Sequence, residues 1–107
     1  MELQVIKEQF GQGDYEISVH AEKERYAEDI SLSDIETAIL SGEILEEYPA
    51  DPRGESCLIL GYAGGHPIHV VCGYTSTQSV RVITVYLPKF PKWVDEKTRR
   101  PKGAHNA

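Results

Sequence analysis

Apolar residues recur at helical spacing through roughly the first forty positions and at strand spacing after them. Leu3, Ile6 and Phe10 fall on one helical face over residues 2–10, and Gly11 and Gly13 stop that run. Ser18 suits the N-cap of a second helix, because its hydroxyl accepts an orphan backbone N–H. That helix is expected to reach about Asp29, with Val19, Tyr26 and Ile30 on its buried face and Glu22, Glu24 and Glu28 in water. In a third, Ser33 and Glu36 have the spacing of a capping box, and Ile35, Ala38 and Ile39 form the apolar stripe. Gly42 suits the left-handed position just past its end.

The period then shortens. Residues 43–48, 57–62, 67–73 and 80–87 read as strands, the last rich in β-branched residues. Residues 49–54, with two prolines, read as a loop, and Gly64-Gly65 as a tight hairpin turn. The fold class expected is α+β, about three N-terminal helices packed on a four-stranded antiparallel meander. A two-residue turn at Gly64-Gly65 sets Ala63 opposite His66, hence Leu60 opposite His69 and Cys57 opposite Cys72. The central strands are apolar on both sides, which asks for cover on both faces. The helices would supply it, or a homodimer through a sheet face or edge.

With 107 residues the chain makes one domain, expected over 1–95, with 96–107 as a basic, flexible tail. No apolar run approaches a bilayer span, and the N-terminal residues lack the pattern of a secretory signal. The expected compartment is the cytoplasm. The net charge of −6 conceals an asymmetry: residues 1–87 carry −10 and residues 88–107 carry +4. An acidic body repels polyanions, while the basic end is free to meet one, or the acidic face of a second copy.

Cys57 and Cys72 are too few for a disulfide framework and read as neighbouring buried thiols. No phosphate loop, GxSxG or HExxH occurs. His66 and His69 point to opposite faces of a strand, so neither a shared metal nor a cofactor is expected. His105 lies in the tail without an expected role. His20 sits at the second position of its helix, where the positive helix end favours the neutral ring that a general base needs, and Glu24 is placed to orient it. His69 and Tyr86 are the other candidates for proton transfer, against the plainer reading of each as a core residue with one polar partner. Trp93 reads as an anchor for the tail, or as a stacking surface for a base.

The runs Ser18-Val19-His20-Ala21, Ile30 to Ile35, Gly42-Glu43-Ile44, Glu47-Tyr48-Pro49, Ser56 to Gly61, Pro67 to Val71 and Ile83 to Pro88, followed by Trp93, resemble the DUF4258 family in order and spacing. The resemblance covers about residues 15 to 95. It implies a likeness to the RelE-like and BrnT-like toxins of the BECR fold, which are ribonucleases. On that implication the protein is an RNA-binding or RNA-cleaving toxin with an antitoxin partner, acting as a metal-independent endoribonuclease. His20 or His69 would be the general base, Tyr86 or the other histidine the acid, and Arg81 or Arg25 the charge stabiliser. Arg25, Lys89, Lys92, Trp93, Arg99 and Arg100 would hold the RNA. The chain departs from the family where many members carry an arginine four residues after the helix histidine; here that residue is Glu24. With the acidic body, this favours the alternative of a non-catalytic module that binds a protein or dimerises.

Overall fold

The computed structural model describes residues 1–101; Lys102 and His105 lie outside the described residues. Its elements are α1 (Leu3–Gly11), β1 (Tyr15–Ile17), α2 (Val19–Ala27), α3 (Leu32–Leu40), β2 (Glu43–Tyr48), β3 (Ser56–Ala63), β4 (His66–Tyr74) and β5 (Val80–Tyr86). The fold is α+β, as expected, but the sheet has five strands in the order β1-β5-β4-β3-β2. β1 runs parallel to β5 and the other pairs are antiparallel. A three-residue strand is too short to show a period of its own, so β1 is invisible without its partner. No described helix is long and apolar enough to cross a membrane.

The hairpin register matches the turn argument. Gly64 and Gly65 have φ of 59° and 79°, and Ala63, Leu60 and Cys57 pair with His66, His69 and Cys72. Both cysteines are free and buried, and burial raises both thiol pKa values.

Helices α1 and α3 pack on each other, and α3 lies across β3 and β4. Ile6, Phe10, Ile35, Ala38 and Ile39 meet Cys57, Ile59, Val70, Cys72, Val82 and Val85 in one core. Gly61 lets α3 touch the sheet: a Cβ there would lie 1.7 Å from the Ala38 carbonyl oxygen. The capping box is two residues earlier than expected. The Ser31 hydroxyl accepts from the Asp34 N–H, and the Asp34 carboxylate accepts from the Ser31 N–H. Gly42 does not take the left-handed conformation; the helix ends on Ser41, and Gly42 is a close-packing position against Ala38 and Ile59.

Helix α2 does not pack as its apolar residues suggest. Val19 and Tyr26 are 73% and 72% exposed, and Ala21 is the buried residue. Glu24, expected in water, turns to the sheet. The helix lies against β5, and a Schellman ending with Asp29 left-handed closes it: Ile30 N–H donates to Arg25 O and Asp29 N–H to Tyr26 O.

The second sheet face is covered by the chain after β5. Residues expected to be a loose tail fold back as far as Arg100, whose N–H donates to Lys92 O. Trp93 is 1% exposed and bridges to Arg99, and Arg99 grips the Glu46 carboxylate at 2.8 and 2.9 Å. On this face Leu58, Leu60 and His69 are each 1% exposed or less.

Candidate functional site

The sequence candidates lie along this second face and the adjoining α2–β5 seam. Register places His69 beside Tyr86, Val71 beside Thr84 and Gly73 beside Arg81. A bulge puts two residues, Ile83 and Thr84, between the core-facing Val82 and Val85.

His69 is fully buried. Its Nε2 lies 2.6 Å from the Glu96 carbonyl, which only accepts, so Nε2 carries the proton. Nδ1 is then the acceptor for the Tyr86 hydroxyl at 3.2 Å. The Trp93 ring closes the site edge-on, 4.4 Å away. Burial lowers the His69 pKa below its usual value and raises that of Tyr86. Both ring nitrogens are spent inside the protein.

A pH dependence follows. In the unfolded chain the imidazole binds its proton near pH ~6.5, while the folded site resists it. The unfolded state therefore binds more protons below that pH. Stability should fall as pH drops below about 6.5, and a His69→Gln chain should show a flatter profile there in denaturant titrations. Equal slopes in the two chains would refute the assignment.

His20 is the opposite case, with its side chain 69% exposed and Nε2 3.3 Å from Glu24 Oε2. The orientation by Glu24 is as expected, but the carboxylate does more. Its Oε1 accepts from the Thr84 hydroxyl and, at 2.9 Å, from the Val85 N–H. Ser18 adds to this: its N–H donates to Val82 O and its hydroxyl to Ile83 O, both at 2.9 Å. Beyond the reach of β1, the open edge of β5 is thus closed by side chains and backbone from the start of α2. Glu24→Ala should cost about 1–3 kcal/mol for the groups left unpaired, and Glu24→Gln less, since its amide oxygen still accepts. Urea unfolding of the two variants measures the difference.

The basic candidates are largely engaged. Arg25 pairs with Glu22 and reaches Ile30 O; Arg81 holds Glu16 at 3.1 Å, and Lys89 approaches Glu28 at 3.5 Å. Arg99 is committed to Glu46. Lys89, Lys92 and Phe90 border a shallow pocket with Tyr86 and Trp93. Trp93 is an anchor, too buried to stack a base. Arg81 and Tyr86 are five positions apart on one strand, or roughly 16 Å. Proton donor, base and cation are therefore strung along the face and do not gather around one atom. Among the described residues no three His, Cys, Asp or Glu side chains form a metal-holding group.

Sequence reasoning gave Arg81 no local partner in a site. Arg53, in the loop after β2, shares a cleft of about 190 Å³ with it, along with Asp51, Glu55, Ser18, Gly73, Tyr74 and Ile83. Nothing periodic marks a loop arginine, so only the register that brings β4 and β5 beneath that loop reveals it.

Fold and site together define a small α+β domain: helices on one face of a mixed sheet, a C-terminal strap on the other. The family model described as a domain of unknown function, DUF4258, matches residues 17–87, about two thirds of the chain, and the protein belongs to that family. No curated protein and no solved structure gives a significant match.

Proposed function

We propose that this DUF4258 domain is a non-catalytic module that binds another protein chain. The dispersal of the candidate catalytic groups carries this reading: His69 is sealed with both nitrogens used, and Tyr86 donates to it. Arg81 stands roughly 16 Å along the strand from that pair. The outward side of α2 offers a contact surface, with Val19 and Tyr26 more than 70% exposed beside Lys23. The acidic body, with net −10 over residues 1–87, favours a protein partner over RNA.

The ribonuclease reading keeps one specific support, the exposed His20 ring held by Glu24. It draws also on the resemblance to RelE-like and BrnT-like toxins, and it implies an antitoxin partner. Controlled expression decides between the readings, comparing the wild type with His20→Ala and with the Val19→Ser/Tyr26→Ser double variant. The expected result is normal growth and intact transcripts in all three, with a stoichiometric protein complex lost only in the double variant. Growth arrest and fragmented RNA in the wild type, abolished by His20→Ala, would overturn the proposal.

A further inference from the structure

The cleft shared by Arg53 and Arg81 has the features of a site for a single oxyanion. Gly73, the cross-strand neighbour of Arg81, lies at its base. A Cβ at Gly73 would come within 2.7 Å of Ile83 Cδ1, so the glycine lets Ile83 lie down as the floor. The two arginines come from elements far apart in sequence, one from the 49–55 loop and one from β5.

Two carboxylates, Asp51 and Glu55, line the same cleft, and each already has a partner. Glu55 accepts from the Met1 ammonium at 3.1 Å. Asp51 accepts the Arg53 backbone N–H at 2.9 Å, which holds its carboxyl below the usual range. Arg53 reaches Asp51 with its side chain only at 3.3 and 3.4 Å, and that side chain is 86% exposed. Arg81 has one contact, to a half-exposed Glu16 carboxylate. Exposed pairs of this kind exchange at little cost. Planar guanidinium forks prefer carboxylate or phosphate oxygens, which they can bind in a bidentate way.

We infer that Arg53 and Arg81 bind one carboxylate or phosphate group, and that in the cell it is an acidic side chain of the protein partner. The cleft, about 190 Å³, has room for such a group. A polyanion would also have to approach the acidic body, whereas a single carboxylate meets mainly the local arginine pair. The identity of the source rests on the protein-binding reading; the oxyanion site does not.

The test is a titration of the full chain, followed by amide NMR, with acetate, inorganic phosphate and a short single-stranded RNA at constant ionic strength. Acetate and phosphate should each give saturable shifts at Arg53, Gly54, Gly73 and Arg81, and each should displace the other. Arg53→Gln and Arg81→Gln should each weaken binding at least about tenfold, while Lys97→Gln, at a residue that pairs with Glu43 and does not line the cleft, leaves it unchanged. Absence of saturation, or binding indifferent to both cleft variants, would overturn the site. RNA binding much tighter than phosphate, lost in the cleft variants, would overturn the assignment to a partner's carboxylate and leave the site standing.

Discussion

Gly61→Ala is expected to leave the domain largely unfolded. The added methyl carbon would stand 1.7 Å from the Ala38 carbonyl oxygen, 2.4 Å from its carbon and 2.7 Å from its Cα. All three are backbone atoms inside α3, so no rotamer relieves the overlap. Either α3 lifts off β3 or the strand bends away, and each loosens the contacts of Ile35, Ala38 and Ile39 with the sheet. A cost above about 4 kcal/mol is exceptional for one substitution, and here it consumes most of the roughly 5–15 kcal/mol that holds a domain of this size. Gly11→Ala is the contrast. It ends α1 with nothing within 4 Å of its would-be Cβ and without a positive φ, so alanine should be neutral or raise stability by about 0.5–1 kcal/mol. Thermal unfolding followed by circular dichroism separates the two. A Gly61→Ala midpoint close to wild type would show that the approach of α3 is not the constraint described.

Trp93→Ala should cost about 3–5 kcal/mol, the range for deleting a large buried aromatic. The ring covers His69 and lies 4.5 Å beneath the Arg99 guanidinium, so its loss opens a cavity and frees two neighbours. Trp93→Phe should cost much less, because it keeps most of the apolar surface. It gives up only an indole N–H that has no hydrogen-bond partner among the described residues. Trp93 is the only tryptophan, so its fluorescence follows the strap directly in the parent chain. Denaturant unfolding read by circular dichroism serves for the variants. If alanine and phenylalanine behaved alike, the strap would not depend on the packing of this ring.

Where local chemistry decides a structure, the sequence displays it. Gly64-Gly65 can only turn tightly, and that turn alone ranks every pair of β3 and β4 down to the two cysteines. The third helix is legible in its stripe, yet its cap is offset, since Ser31-Asp34 and Ser33-Glu36 have the same spacing; the Schellman ending at Asp29–Ile30 leaves Ser31 first in line. Helix α2 misleads because its inward side serves a strand edge. Backbone N–H groups there need a carboxylate more than the core needs Val19 or Tyr26, so Glu24 turns in and the apolar pair turns out. The strap is hidden for a related reason. One indole and a few polar contacts hold it, in a segment with the composition of a loose tail. Of the candidate site, the His20–Glu24 pair follows from spacing, whereas the His69–Tyr86 adjacency depends on a β4–β5 pairing whose register shifts between Val71 and Cys72. The arginine cleft depends on a loop path that no periodicity encodes.

The parallel pairing of β1 with β5 also bears on how the chain is made. Tyr15 finds Val80, and the first strand cannot enter the sheet until the last has been synthesised. The β3–β4 hairpin needs nothing beyond itself and can form early, whereas the joining of β1 to β5 closes a loop through most of the molecule. During translation β1 therefore waits, with Tyr15 and Ile17 lacking their strand partner, until the ribosome has released the final strand. A chain interrupted before residue 80 would remain in that state, which makes a premature stop in this region a direct route to degradation.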